Sequence, residues 1–424
     1  MKIAFIVEKF PALTETFILN QVIGLIELGH EINIYAYYPD DTNKLHSDVI
    51  KYGLLSHTHY MVEVPENYIF RVLQAIWLII INLKKAPLAV LRSLNFFKYG
   101  KPAISLRLFY SILAFLDSQT YDIIHCQFGM YGIEGMRLRE LAAIRGKLIT
   151  CFRGYDISWY IKEFGDDIYK ELFTKGDFFL TNCNFFRERA IKLGCEASKI
   201  IVHGSGIDCD RFAFKARYIS CDRQIRIVTI GRLIEKKGIE YSIRAVAKIL
   251  KDYPNLEYNI IGEGYLKKDF QQLINKFDIK DKIHLLGWKN QQEIIETLDN
   301  SHIFIAPSVT AINGNQDAPV NTLKEAMAMG LPVIGTYHGG IPELVEDGIS
   351  GFLVPERDAN AIANKIIYLI EHPEIWLSMG KAGRSYVEKH YNIHQLNQEL
   401  IEVYKQVSGN IITRTSNQKS GIKA

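Results

Sequence analysis

The 424-residue sequence predicts an α/β protein built from two doubly wound domains. Three observations carry this. Short β-branched runs alternate with longer helical patterns in both halves, the arrangement that produces parallel sheets covered on both faces. The length suits two or three domains, each able to bury a full core without disulfides or a structural metal. The chain is 48% hydrophobic and 23% charged, the composition of a globular protein.

In the first half, 2–7, 31–37, 122–126, 147–152, 178–181 and 199–204 read as strands with helical segments between them. In the second, 226–230, 256–261, 282–286, 302–306, 332–336 and 351–354 do so. Between the first two of these, Ile239, Ile243, Val246, Ala247 and Leu250 recur at helical spacing and mark one buried face. Both halves are therefore expected to be Rossmann-like. Gly204 and Gly206 break the pattern, so the domains are expected to span 1–205 and 206–392. A helix at 393–407 is expected to pack back on the first domain, and the polar, aperiodic 408–424 to form a flexible tail.

Residues 67–116 interrupt the first domain with 50 positions that include no Asp or Glu and seven basic residues, Arg71, Lys84, Lys85, Arg92, Lys98, Lys101 and Arg107. Pro87 and Pro102 divide the segment into three expected helices. Its aromatic, basic character suits a membrane interface with the cations facing anionic lipid. Packing against the sheet, with the charges as a solvated rim, is the other reading.

Fifty Lys and Arg against 47 Asp and Glu leave a net charge of +3, which excludes the field of a dedicated nucleic-acid binder. Glu8 and Lys9 break the first apolar run, so no signal peptide is read there. The longest apolar stretch, 75–81, is far short of the roughly 20 residues that span a bilayer. Six cysteines without a C-x-x-C pair read as reduced thiols, and a cytoplasmic location is expected.

Ligands of an open parallel sheet bind outside the carboxyl ends of its strands. Arg232 closes the strand 226–230 and Lys237 opens the next helix, so two cations meet where a diphosphate would lie. Surface salt bridging is the alternative for them. Gly339 and Gly340 precede a helix start and let backbone N–H groups approach a phosphate closely. Asp317 and, eight positions on, Glu325 are unsuited to phosphate but can accept hydrogen bonds from sugar or ribose hydroxyls. Together these describe a nucleotide-sugar site, although an acid in a first helical turn also simply favours the helix dipole.

The strings GRLIEKKG, IIGEG, HLLGW, DAPVNTLKEAMAMGLPVIGT and GGIPELVEDGISGFLVP resemble the donor domain of retaining GT-B glycosyltransferases of family 4. KFPALTETFILNQVIGLIELGHEINIYA and DIIHCQFG are similar to the colanic-acid and exopolysaccharide subgroup. The resemblance implies a GT-B fold, two Rossmann-like domains facing a central cleft. It assigns the donor diphosphate to Arg232, Lys237, Gly339 and Gly340, the ribose to Glu325, the transferred sugar to Asp317, and the base side to Glu263 and Gly264. The TETF turn, with Thr14, Glu15 and Thr16, would face the acceptor side, as would His125. A nucleotide-sugar donor and a membrane-associated, lipid-linked glycan acceptor are the implied substrates, with contact to anionic membrane at the inner face of the cell.

Two departures from the family pattern stand out. Asp317 replaces a glutamate and reaches one methylene less far. Arg153, in TCFRGYD, stands where many relatives of the resembled family carry a histidine, and Gln127 where a second histidine is frequent. Arginine cannot act as a base. It can stabilise charge on a departing diphosphate or fix the sugar, or it can serve structurally by pairing with Asp156. A retaining transfer in which the leaving diphosphate oxygen takes the acceptor proton needs no protein base. With no metal-ligand spacing in the sequence, neither metal nor cofactor is expected, and Arg232 and Lys237, with Asp317 and Arg153, are the catalytic candidates. An epimerase or glycan phosphorylase on the same scaffold, and a non-catalytic nucleotide-sugar sensor, are the alternatives.

Overall fold

The computed structural model describes residues 1–12, 15–40, 46–117, 120–219 and 224–409. Thr14, Cys221 and positions 410–424 of the expected tail lie outside the described residues.

Strands β1 (Lys2–Lys9), β2 (Glu31–Tyr38), β3 (Thr58–Tyr60), β4 (Thr120–Gln127), β5 (Arg145–Phe152), β6 (Phe178–Thr181) and β7 (Ile200–Val202) form the first sheet, in the order β3-β2-β1-β4-β5-β6-β7. Strands β8 (Ile225–Ile230), β9 (Leu256–Ile261), β10 (Ile283–Gly287), β11 (Ile303–Ala306), β12 (Val333–Thr336) and β13 (Phe352–Val354) form the second, in the order β10-β9-β8-β11-β12-β13. Every pairing is parallel. Helices fill the crossovers. In the first domain these are α1 (Thr16–Glu27), α2 (Ser47–Lys51), α3 (Tyr68–Asn82), α4 (Pro87–Ser93), α5 (Phe96–Tyr99), α6 (Lys101–Ile104), α7 (Arg107–Ile112), α8 (Gly129–Glu140), α9 (Trp159–Phe164), α10 (Lys170–Lys175) and α11 (Asn184–Lys192). The second domain has α12 (Ile239–Ile249), α13 (Lys267–Lys276), α14 (Gln291–Asp299), α15 (Asn321–Ala328), α16 (Ala359–Glu371) and α17 (Trp376–Tyr391), and α18 (Ile393–Ser408) ends the described chain.

Strand periodicity explains the cores. Ile3, Phe5 and Val7 enter the cluster on one face of the first sheet, and Ala4 and Ile6 the cluster on the other. Ile225 and Ile227 likewise oppose Val228 and Ile230 across the second. Because both faces are buried, these strands are apolar through most of their length. The helix α12 buries Ile239, Ile243 and Val246 and half-buries Ala247 and Leu250, the face its spacing marks.

The sheets order themselves around switch points between β1 and β4 and between β8 and β11, where connections depart to opposite faces and leave a crevice at the strand ends. The chain crosses between domains at 203–207 and returns at 391–393, where Ile207 bridges Asn392. The crossings touch so closely that a Cβ on Gly206 would lie 2.7 Å from the Ile393 Cα. After the return, α18 lies on α1, and its Leu400, Ile401, Val403 and Tyr404 join the first domain's core.

The insert differs from the three helices read from its prolines. It forms α3 to α7 plus a 3-10 turn at Leu113–Phe115. Pro102 falls at the start of a helix, where its missing N–H costs nothing, and Gly100 at φ +57 turns the chain before it. Ala75, Val90, Phe109, Ile112 and Phe115 pack into the core. The outer face is solvent-exposed and apolar, with Ile69, Trp77 and Phe97 exposed by 72%, 61% and 89%. Its cations are not all at the surface. Arg71 is buried, bonded to the carbonyls of Pro65, Glu66 and Ser105, while Arg92 binds the Glu140 carbonyl and Lys85 pairs with Asp117. No helix among the described residues is long and apolar enough to cross a membrane. Cys126, Cys151, Cys183, Cys195 and Cys209 are buried free thiols.

Candidate active site

The second domain's half of the cleft is assembled from the carboxyl ends of β8, β11 and β12. After β8 the chain makes a 3-10 turn at Glu235–Lys237, ended by Gly238 at φ +59. A Cβ there would lie 1.8 Å from the Pro307 carbonyl, so only glycine lets this turn press against the β11 loop. That closeness brings Lys237 Nζ within 2.7 Å and Lys236 Nζ within 3.0 Å of the two carboxylate oxygens of Asp317. Ser308 Oγ donates to the same carboxylate at 3.0 Å. Burial opposes ionisation of Asp317, but Lys236 and Lys237 overcome it and hold the carboxyl far below the usual range. Burial in turn lowers the Lys236 ammonium pKa, against the pull of Asp317.

Behind Asp317 stands His338. Its Nε2 accepts the Asp317 backbone N–H at 2.9 Å, so Nδ1 carries the proton and donates to Glu356 at 2.6 Å. Gly339, at φ +51, follows directly, and a Cβ on it would sit 2.0 Å from the Asp317 carbonyl. Lys237, Asp317 and Gly339 are thus contiguous, with Gly340 packed on Pro319. Lys236, Ser308, His338 and Glu356 escaped the sequence reading. The doubled lysine and the histidine directly before the glycine pair were the available signals.

Arg232 is exposed just after β8, and its charge reaches Glu15 of the first domain. Glu263 is anchored by its carbonyl to the Leu233 N–H and by its carboxylate to Lys267 at 2.7 Å. Gly264 allows the close approach to Leu233, whose carbonyl would lie 2.3 Å from a Cβ. Glu325 lines a cavity of about 250 Å³ together with Thr16, Phe17, Asn20, Gln291 and Asn321, so donor-side and acceptor-side residues meet across one space. Burial pushes the Glu325 carboxyl up to about 7, against the opposing charge of Lys324. Lys324 itself is fully buried, donates to the Ser205 carbonyl at 2.9 Å, and is brought down to about 7 by burial.

The first domain's half is organised by Arg153 at the end of β5. Pairing of its guanidinium with Asp156 does not occur. The fully buried Asp156 accepts instead from the backbone N–H groups of Arg153, Gly154 and Gly129, fixing the turn. The guanidinium lies in the cleft wall, donating from Nε to Gln127 Oε1 at 3.1 Å and from Nη1 to Ser205 Oγ at 2.9 Å, over the Phe17 ring. His125 departs from its acceptor-side assignment. It has no exposed surface, contacts Tyr404 and Gln127 through its two ring nitrogens and stacks on Phe5. It supports the residue that holds Arg153. Thr16 lines the cavity, and Glu15 presents a buried oxygen without a hydrogen-bond partner among the described residues. Burial, then the charge of Glu8, raises the Glu15 carboxyl to about 7, while Arg232 and Arg153 oppose.

Two all-parallel doubly wound domains, with a cationic, glycine-lined cradle where their strand ends face one another, define a glycosyltransferase of the GT-B class. Solved structures share the fold across almost the whole chain. HepE of Anabaena in complex with UDP superposes with a TM-score of 0.69 at 17% identity, covering 96% of this chain and 100% of that one. Sucrose-phosphate synthase of Thermosynechococcus elongatus gives 0.72 at 17% identity, covering 97% and 100%. Residues 14–211 match the family model "Glycosyltransferase Family 4", and 210–386 match "Glycosyl transferases group 1". The chain belongs to this glycosyltransferase family, in the company of bacterial exopolysaccharide enzymes. The amylovoran biosynthesis glycosyltransferase AmsK of Erwinia amylovora is 34% identical over 411 residues, covering 96% of this chain and all of AmsK. WcaL of Salmonella typhimurium, provisionally named a colanic acid biosynthesis glycosyltransferase, is 33% identical over 417 residues, with 96% and 100% covered.

Proposed function

We propose that this glycosyltransferase moves a sugar from a nucleoside-diphosphate donor, with retention of configuration, to a lipid-linked glycan during exopolysaccharide assembly at the inner face of the cell membrane. The observation that carries the donor reading is the cradle. Lys237 is locked onto Asp317, Gly339 packs on the same residue, and Arg232 lies exposed at the end of the same strand that leads to Lys237. A diphosphate there meets cations and glycine backbone.

The chemistry follows from what the wall offers. The bond between the anomeric carbon and the diphosphate oxygen breaks, the acceptor oxygen bonds to that carbon from the same face, and its proton passes to the departing oxygen. Arg232, Lys237 and Arg153 neutralise the charge that develops on the diphosphate, which is the reason for proposing a metal-independent reaction. The exposed apolar face of the insert supports the membrane-bound acceptor.

The test is transfer of radiolabelled sugar from a panel of nucleotide sugars to membrane lipid extract by the purified protein, with the anomeric configuration of the product read by NMR. Glu325→Ala and Lys237→Ala should each abolish most transfer. Full activity in both overturns the site. Conversion of donor without acceptor would instead identify an epimerase, and tight donor binding without turnover a sensor.

A further inference from the structure

The two halves of the cleft are joined at only two chain crossings, so relative motion between them is the default unless other contacts prevent it. Several of the contacts that do so meet on one helix of the first domain. The helix α11 is preceded at its N-cap by Cys183, which supplies no side-chain cap, leaving the first-turn N–H groups without an intrahelical partner. Their partner comes from the other domain. Glu343 accepts from the Asn184 N–H through Oε2 at 2.7 Å and from the Phe185 N–H through Oε1 at 2.7 Å, with Asn184 Nδ2 adding a third bond at 3.1 Å. A carboxylate at the positive end of a helix, bonded by both oxygens, is a strong charge-assisted contact.

Glu343 is not a remote surface acid. It ends the 3-10 turn that follows Gly339 and Gly340, and its own carbonyl is pinned by the Tyr386 hydroxyl at 2.6 Å. The same α11 reaches the second cradle loop. Arg189 Nη2 donates to Gln316 Oε1 at 2.6 Å, next to Asp317 in the chain, while Ser158 Oγ accepts the Gln316 N–H and Lys162 Nζ donates to the Ile312 carbonyl. Both loops that build the cradle are therefore held by the opposite domain, and α11 is common to the two.

We propose that Glu343 is a positioning residue, a latch on the N-terminus of α11 that couples domain closure to the shape of the cradle, with Arg189 securing the other loop. The coupling to ligand rests on the reading of the cradle as the donor diphosphate site; the latch itself does not. Separating the domains must break the Glu343 bonds and free the turn that carries Gly339 and Gly340. Weakening the latch lowers the fraction of closed molecules, and apparent ligand affinity falls by that fraction.

The experiment compares full-length wild type, Glu343→Gln, Glu343→Ala and Arg189→Met by small-angle X-ray scattering and by calorimetry with UDP and GDP. The glutamine variant keeps the shape and loses the charge and one acceptor oxygen. Expected are a larger radius of gyration in all three variants and a nucleotide dissociation constant raised about tenfold, with thermal midpoints showing folded domains. Glutamine should lie between wild type and alanine. Unchanged scattering in folded Glu343→Ala and Arg189→Met overturns the latch. If neither nucleotide binds the wild type while the variants still expand, the latch stands and the donor assignment fails.

Discussion

Arg153 donates from Nε to the side-chain oxygen of Gln127 at 3.1 Å, so the two residues at which the sequence departs from the expected histidines are hydrogen-bonded partners. Gln127 is completed by Gln21 and His125, and His125 by Tyr404 of the C-terminal helix. A fully buried row thus fixes a cation at the cleft wall. Removal of one preorganised charge-stabilising donor costs transfer about 100-fold or more. Arg153→Met should therefore lose about that much kcat, Gln127→Leu less. Their double-mutant cycle should give a coupling of about 0.5–3 kcal/mol, since the second change removes what the first has already disrupted. Additive losses in kcat would show that Gln127 does not act through Arg153.

Asp317 carries the charge balance of the cradle. Removing one partner of a buried ion pair strands the other, at a cost of about 3–5 kcal/mol. Asp317→Asn leaves Lys236 and Lys237 facing an amide, with Lys236 almost wholly out of solvent. A drop of that size in urea-unfolding stability is expected, against a small one for Arg232→Ala at its exposed site. The Asp317 carboxyl is held low in the folded state, so its contribution is present above the ordinary carboxylate pKa and lost as pH falls below it. The difference between wild type and Asp317→Asn should accordingly shrink in acid, as measured by denaturant midpoints from pH 7 to pH 3.

The twelve strands read from β-branched runs are all present, because strands buried on both faces declare themselves by composition alone. The thirteenth, β3, has three partly exposed residues on a sheet edge, too few to show a period. The cradle's cations and glycines were legible through their place at strand ends. The His338–Glu356 pair was not, because it depends on the loops after β12 and β13 meeting in space. His125 misled for the converse reason: its sequence position is that of a cleft residue, but α18 returns from the far end of the chain to cover it.

Glu15 makes stability depend on pH near neutrality. Its folded-state pKa is raised from 4.5 to about 7, chiefly by burial and then by Glu8. Between those values the native state keeps a proton that the unfolded chain releases, so this group costs stability progressively as pH rises from about 4.5 to about 7. Glu15→Gln removes the ionisation. Its advantage over wild type in urea midpoint should grow across that interval, by at most about 1.4 kcal/mol per pH unit for one proton, and level off above it. A constant difference from pH 5 to pH 8 would mean that Glu15 ionises freely.

The lipid contact proposed for the insert should be governed by its apolar face more than by its charge. Of its seven basic residues, Arg71 is buried and Arg92 and Lys85 are engaged with neighbouring groups, whereas Ile69, Trp77 and Phe97 stand exposed. Burying a large apolar side chain contributes about 1.5–3 kcal/mol, and salt does not screen it. Electrostatic attraction between surface charges falls steeply once the Debye length shortens to about 3 Å at 1 M salt. In vesicle co-sedimentation, neutralising Lys84, Lys98 and Lys101 should weaken binding to anionic lipid at low salt only. Trp77→Ser with Phe97→Ser should reduce it more than tenfold on anionic and neutral vesicles alike, and at high salt. Retained binding in the double variant with loss in the lysine variant would reverse that order and make the contact one of charge alone.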